Sequence, residues 1–215
     1  MIVLDDAFQH RRIHRDLNIV LIDATCPFGF GHQLPRGLLR ESVSGLRRAD
    51  MVLMTRADRG ASQLASIRQT VKQHNPTLAD HCHEVSFRPT ELQSTDGHRL
   101  SADQLPDTAV TLMTAIGNPT AFVATCQQLG LEVVVTRFFP DHHLYTSDNI
   151  AQVLQLADEH QTPHVLTTLK DLVKLPAGEA RFLAVLIETV FASDAARESV
   201  RQQLTVALAR HAARC

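Results

Sequence analysis

The sequence predicts an α/β fold with a mostly parallel sheet, and three features carry that prediction. Asp16-Leu17-Asn18-Ile19-Val20-Leu21-Ile22-Asp23, Asp50-Met51-Val52-Leu53-Met54-Thr55 and Val110–Ala115 are continuous apolar runs, a pattern that suits strands covered on both faces. Segments with helical spacing follow such runs, and strand–helix alternation gives parallel sheets. Long loops rich in Gly, Pro, His, Arg and carboxylates follow several strands, where open α/β sheets bind ligands.

Taken in order, Ile2–Leu4 reads as a short buried strand ending at Asp5-Asp6. The runs at 16–23 and 50–55 are the next two strands, and a short helix is expected over Leu38–Arg48 between them. Ala61–Asn75 carries Leu64, Ile67 and Val71 at helical spacing and stops at Pro76. Residues His83–Leu105 read as a connector, a hairpin turning at Asp96-Gly97. A second α/β unit follows. Its strands are Val110–Ala115, Glu132–Arg137, His164–Thr168 and Phe182–Ile187. Its helices are Asn118-Pro119-Thr120 to Leu129, closed by Gly130, then Ser147–His160 capped by Ser147 or Asp148, and an amphipathic Ala195–Ala213. The expected division is 1–82, a linker 83–108, and a C-terminal lobe 109–215.

The bulk numbers narrow the function classes. The chain has 215 residues, 44% hydrophobic and 20% charged, enough for one large domain or two small ones. A net charge of −2 supplies no general basic field for nucleic acid. Cys26, Cys82, Cys126 and Cys215 are far apart with no Cys-x-x-Cys, so neither a zinc knuckle nor a disulfide framework is indicated and a reducing compartment fits best. No apolar run reaches the roughly 18–20 residues that cross a bilayer. Met1-Ile2-Val3-Leu4 has no basic leader, and a chain that opens inside a strand suggests that residues upstream are missing.

Four segments carry candidate chemistry. In Asp5-Asp6-Ala7-Phe8-Gln9-His10-Arg11-Arg12, two carboxylates can hold Mg²⁺, or one can accept a proton from a hydroxyl; an ordinary turn is the plainer reading. The loop 27–41 combines Gly29, Gly31 and Gly37 with Arg36 and Arg40, and adds Phe28, Phe30 and Leu34. A loop both cationic and apolar suits an anionic amphiphile, with a packed surface loop as the alternative. Phe139-Pro140-Asp141-His142-His143 can supply or orient a general base. A metal site there is the rival, but adjacent histidines rarely both reach one ion. Thr167-Thr168-Leu169-Lys170-Asp171 ends a strand, and Lys170 can bind an anion or form a surface salt bridge.

Together these segments resemble one family, the tetraacyldisaccharide 4′-kinases (lipid A 4′-kinases) of Gram-negative bacteria. The matching pieces are Leu-Asp-Asp-Ala-Phe-Gln-His-Arg (4–11), Asp-Ala-x-x-Pro-Phe-Gly (23–29), Leu-Pro-Arg-Gly-x-Leu-Arg-Glu (34–41), Ala-Ile-Gly-Asn-Pro (115–119), Phe-Pro-Asp-His-His-x-Tyr-Thr (139–146) and Thr-Thr-x-Lys-Asp (167–171), in order along the chain. The resemblance implies a P-loop NTPase-like core with a smaller C-terminal α/β lobe and a two-stranded linker. It implies ATP- and Mg²⁺-dependent phosphorylation of the 4′-hydroxyl of a tetraacyldisaccharide 1-phosphate, a lipid A precursor, at the cytoplasmic face of the inner membrane. No nucleic acid and no protein partner are implied. Residue by residue, Asp5 matches the catalytic base and His142 the histidine paired with it. Asp6 matches the neighbouring acid, assigned to Mg²⁺ or the active-site network. Gln9, His10, Arg36, Arg40 and Glu41 match positions around the sugar and its phosphate.

The chain departs from the family pattern in several places. Ala7 stands where Gly is frequent, Cys26 where Arg is frequent and Leu169 where Glu is frequent, and the last two remove charge near the expected site. Roughly the last two-thirds of a full-length kinase is expected here, without the membrane-associating N-terminal helix. No Gly-x-x-x-x-Gly-Lys-Ser/Thr occurs in the 215 residues. Two rivals stay open: a non-catalytic remnant that binds a lipid disaccharide or a partner protein, and a metal-dependent hydrolase using Asp5, Asp6, His142 and His143. Phosphoryl transfer relies on a cradle for the nucleotide phosphates. The purified 215-residue chain is therefore expected to be inactive or nearly so. Robust ATP- and Mg²⁺-dependent 4′-phosphorylation by that chain would overturn the expectation.

Overall fold

The computed structural model describes residues 1–105 and 107–212. In chain order its elements are β1 (Ile19–Asp23), β2 (Met51–Thr55), α1 (Leu64–His74), β3 (Cys82–Ser94), β4 (Arg99–Leu100), β5 (Ala109–Thr114), α2 (Pro119–Gln128), β6 (Glu132–Phe138), α3 (Ser147–Glu159), β7 (His164–Thr168), α4 (Leu169–Leu172), β8 (Phe182–Phe191) and α5 (Asp194–Ala212). They fall into two compact units, Met1–Phe87 with Thr189–Cys215, and Arg88–Glu188. The chain passes from one unit to the other along β3 and returns along β8.

In the first unit β1, β2 and the start of β3 pair in parallel, with Ile19 opposite Met51 and Val52 opposite Cys82. β2 is buried almost throughout, because α1 and the loop after β1 cover it. α1 sets Ile67 and Val71 one turn apart on its inner face, against Val52, Met54 and Leu78. Each such side chain, fully buried, contributes about 1.5–3 kcal/mol. Asn75 closes this core after α1. Its buried amide donates to the carbonyls of Leu46 at 3.1 Å and Ala49 at 3.2 Å, while its oxygen accepts from the N–H and hydroxyl of Thr77.

The second unit is a sheet ordered β3, β8, β7, β5, β6, with β4 antiparallel on β3. β8, β7, β5 and β6 are linked by parallel ladders. Both faces are covered, as continuous apolar strands require. Leu112, Leu166 and Val185 face Phe122 and Cys126 of α2, whereas Met113, Val165 and Ala184 face Val153 and Ala157 of α3. Asn118 caps α2 by accepting from the Ala121 N–H at 3.1 Å. α3 is capped not by Ser147 or Asp148 but by Thr146. Thr146 and Asn149 form a reciprocal box in which each side chain accepts from the other's N–H, both at 3.2 Å.

The structure departs from the sequence expectation in four further places. Ile2–Leu4 forms no strand; Ile2 and Val3 are 87% and 79% exposed. A buried strand requires neighbours for its backbone groups, and among the described residues nothing pairs with this segment. β1 is likewise not covered on both faces, since Leu21 is 64% exposed. The helix expected over Leu38–Arg48 shrinks to a 3-10 segment, Val43–Arg48. Leu39 is unavailable to it because its N–H and carbonyl bond to His32 and Leu34 across the preceding loop, and the Ser42 side chain accepts the Ser44 N–H to start the helix later. The hairpin at 83–105 does turn at Gly97, but its first strand is also a member of the parallel ladder beside β2.

The final helix was expected with the C-terminal lobe; it groups instead with the first unit, where Ser199 Oγ meets His83 Nε2 at 2.9 Å. Ala213 and Cys215 lie outside the described residues. Replacing Asn75 by Ala takes the side-chain donor from the Ala49 carbonyl, leaves the Leu46 carbonyl with the Ala49 N–H alone and removes a cap, so Asn75→Ala is expected to destabilise the first unit by about 1–3 kcal/mol. Urea unfolding followed by amide exchange at Ile67 and Val71 would check this.

Candidate active site

The first polar cluster belongs to the first unit and gathers at the carboxyl end of β1. A cavity of about 440 Å³ opens there, between the 6–9 turn, β1 itself and the loop that runs to Leu46. Val20, Leu21, Phe28 and Leu38 give it apolar walls; Asp6, Gln9, Arg40 and Glu41 give it a polar rim. Several backbone features shape the rim. Gly37 is pinned so closely that a Cβ there would sit 2.2 Å from the His32 carbonyl oxygen and 2.4 Å from that of Gly29. Phe28 and Phe30 adopt φ of +55° and +64°, which turns the loop back on itself. Asp6 also holds a positive φ, +50°. For non-glycine residues such geometry persists only where surrounding contacts fix it.

Around the 28–30 turn those contacts are backbone hydrogen bonds, from the Leu38 N–H to the Gly29 carbonyl at 3.0 Å and from the Leu39 N–H to the His32 carbonyl at 3.1 Å; at Asp6 the contact is ionic. Asp6 pairs with Arg40, so the two loops are tied rim to rim. Glu41 accepts from Arg11 at 3.2 Å and from Arg48 at 2.6 Å, and the Arg48 guanidinium lies 4.6 Å from the Phe8 ring centroid. Gly45 leaves room for this carboxylate, since a Cβ at 45 would meet Glu41 at 2.9 Å. The structure thus brings Asp6, Gln9, Arg40 and Glu41 to one cavity. Asp5 and His10 are exposed in the neighbouring turn, and Arg36 is exposed in the loop ahead of Gly37, off the cavity lining.

Sequence reasoning passed over another pair at this edge. Asp23, the last residue of β1, accepts from the Thr25 N–H and hydroxyl and pairs with Arg56, which follows β2 with a φ of +53°. Partial burial pushes the Asp23 carboxyl up, but Thr25 and Arg56 outweigh it and hold the group below its ordinary range. The available signal was position: both residues sit at the carboxyl ends of parallel strands.

The second cluster lies in the second unit, at the carboxyl ends of β5, β6 and β7. His142 is exposed with a φ of +61°. Its Nε2 lies 3.7 Å from Asp141 Oδ2, and Asp141 Oδ1 accepts from Lys170 at 3.3 Å. Desolvation raises the Asp141 carboxyl, and Lys170 and His142 together hold it below the usual value. His143 turns elsewhere: it stacks on Phe139 and meets Asn149 Oδ1 at 2.9 Å. Adjacent histidines with different partners do not form one metal site, and among the described residues no group of three or more His, Cys, Asp or Glu could hold an ion.

Behind this loop sits Asp171, fully buried. Its Oδ2 accepts from the Thr114 hydroxyl at 2.9 Å, the Ala115 N–H at 3.0 Å and the Thr168 hydroxyl at 2.9 Å. Its Oδ1 accepts from Lys174 at 3.1 Å. Burial pushes this carboxyl up, yet the Ala115 N–H, Lys174 and the two threonines prevail and keep it below the ordinary range. Tyr145 responds in the opposite sense, its phenol raised by burial and by the adjacent Asp171 charge. A sequence signal for Asp171 existed in the Thr168-x-x-Asp171 spacing, the mark of a helix N-terminus.

A mostly parallel sheet with helices packed on it and polar loop clusters at the carboxyl ends of its strands defines an α/β protein. The family model for tetraacyldisaccharide-1-P 4′-kinase matches residues 1–205. This chain belongs to that family. The tetraacyldisaccharide 4′-kinase of Halothermothrix orenii is 37% identical over 190 residues, 84% of this chain and 50% of its own. That of Anaeromyxobacter sp. (strain K) is 38% identical over 193 residues, 88% of this chain and 50% of its own. LpxK from Aquifex aeolicus, solved in complex with ATP, superposes with a TM-score of 0.68 at 25% identity, covering 95% of this chain and 56% of that one. The chain spans about half the length of the curated relatives it matches, less than the two-thirds expected.

The buried Asp171 has a pH signature. Its folded pKa lies below its unfolded value of about 3.9, so its stabilisation is complete above that value and is lost as pH falls through the folded pKa. Asp171→Asn is expected to lower the melting temperature of the second unit at pH 7 and to converge with the parent in strong acid. A constant difference across the whole titration would contradict this.

Proposed function

We propose that the chain carries the acceptor-binding and proton-accepting parts of an ATP-dependent kinase acting on the 4′-hydroxyl of a tetraacyldisaccharide 1-phosphate in lipid A synthesis. The observation that carries the reading is the amphipathic cavity of the first unit, where Asp6, Gln9, Arg40 and Glu41 meet apolar walls. A sugar with acyl chains presents both kinds of surface. Family membership and the likeness to an ATP-bound relative support the same reading.

Asp5 is the proposed base, and His142 its proposed partner in accepting the hydroxyl proton. A sugar hydroxyl attacks well only once its proton is being removed. Gln9 and His10 supply amide and imidazole groups to the sugar, and Arg36 and Arg40 supply guanidiniums that bind phosphate bidentately. Arg40 is neutralised by Asp6 at rest; a substrate phosphate competes for it, and Glu41 keeps Arg11 and Arg48 in place meanwhile. Asp6 would be the protein oxygen donor to magnesium, an ion that takes one or two carboxylates together with nucleotide phosphates and water. The ion would neutralise charge on the transferred phosphoryl group. Working place and substrate surface are proposed as the cytoplasmic face of the inner membrane. Among the described residues no helix is long and apolar enough to cross a membrane.

A second reading is retention of the lipid disaccharide without turnover, favoured by a cavity lined wholly from within the first unit. Binding of tetraacyldisaccharide 1-phosphate by the 215-residue chain in the absence of ATP tests it. For the kinase reading, Asp5→Ala and His142→Ala, placed at the matching positions of a full-length relative, are each expected to cut turnover by about 10²–10⁴ while changing the Michaelis constant less. Unchanged turnover in either variant removes that residue from the base assignment.

A further inference from the structure

We propose that the buried Asp171–Lys174 pair is the positioning device that fixes the His142–His143 segment, a role that rests on reading His142 as part of the reaction. Two separate paths run from this pair to the segment. Along the first, Asp171 Oδ2 accepts the Ala115 N–H at 3.0 Å, and the carbonyl of the same Ala115 accepts the His142 N–H at 3.3 Å. One peptide residue therefore transmits the carboxylate's position to the backbone of His142. Along the second, Lys174 Nζ bridges Asp171 Oδ1 at 3.1 Å and the His143 carbonyl at 3.2 Å. The same ammonium lies 5.7 Å from the Tyr145 ring centroid, so the far end of the segment is held too.

What these bonds hold is a strained residue. His142 keeps a φ of +61° while its ring stays exposed, so no packing of its own side chain secures the conformation. Left-handed geometry at a non-glycine residue persists where neighbours over-determine it. Here the neighbours are the Ala115 carbonyl and Asp141 Oδ1, which share the His142 N–H at 3.3 and 3.0 Å, and Lys174 on the His143 carbonyl, with the His143 ring held by Phe139 and Asn149. A carboxylate placed only to stabilise strand ends would need Thr114, Ala115 and Thr168 and nothing beyond them. Lys174 adds the bond to His143, which contributes nothing to the sheet. Its 20% side-chain exposure also shows that it is not a filler of the core.

The test uses the 215-residue chain and amide hydrogen exchange read by NMR. Lys174→Met keeps the stem and loses the ammonium; it is expected to speed exchange at the His142 amide at least tenfold, with Val165 and Leu166 of β7 unchanged. Lys174→Arg keeps a donor and is expected to stay within about threefold of the parent. Thr114→Val removes only a hydroxyl bond to Asp171 and keeps the Ala115 N–H, the Thr114 carbonyl bond to Phe139 and Lys174 in place, so it is expected to leave His142 exchange unchanged. Equal acceleration in Lys174→Met and Thr114→Val would mean a merely structural role, and so would acceleration spread through β7. No acceleration in Lys174→Met would equally overturn the proposal. Failure of the His142→Ala kinase test would instead remove the reading of His142 and leave the exchange result standing, so the two failures are distinguishable.

Discussion

A carboxylate at zero exposure is tolerated only if every lone pair it turns inward finds a donor. Asp171 meets that condition with two threonine hydroxyls, one backbone N–H and one ammonium. The donors come from the ends of β5 and β7 and from the helical turn after β7, so satisfying one side chain fixes where two strands stop and how the chain leaves them. The loops that carry Asp141, His142 and Lys170 all depart from this edge. Their geometry is a consequence of the buried charge before it is a consequence of any local propensity.

The first unit reaches the same end with exposed charges. Asp6 and Arg40 are 61% and 58% exposed at the side chain, and ion pairs so wet contribute little to stability. Their effect is on geometry: the pair decides which rim residues of the cavity face each other. Glu41 is more enclosed, at 19%, and serves two arginines at once, one of them stacked on Phe8. A carboxylate with two guanidiniums leaves excess positive charge beside the cavity.

Much of the fold was legible in the sequence because the periods were clean. Continuous apolar runs gave β1, β2 and β5, Leu64, Ile67 and Val71 gave α1, and the Asn118-Pro119 start gave α2. Failures came where tertiary pairing decides. Ile2–Leu4 has strand composition but no neighbour among the described residues, and composition carries no information about neighbours. Leu38–Arg48 has helical composition, yet two backbone bonds of Leu39 are already committed to the loop. The site was legible as a set of segments and not as pairings. Nothing in the local sequence says that Asp6 meets Arg40, 34 residues away, or that Glu41 takes Arg48. Asp171 was the least visible, since its importance lies in burial, and the polar letters around it read as surface.

Asp6 and His142, one in each unit, share a backbone feature. Each is a non-glycine residue at positive φ in a loop that carries a family motif, and each has a charged neighbour within the same unit: Arg40 for Asp6, Asp141 for His142. A reactive group held in a costly conformation keeps its direction only as long as its anchors hold. The anchors differ in kind. Arg40 is an exposed side chain that a competing anion can draw away, whereas the support behind His142 runs through Ala115 and Lys174 to a buried carboxylate that no solute reaches. A competing anion would therefore rearrange the Asp6 loop of the first unit, whereas the His142 loop of the second unit is held from within.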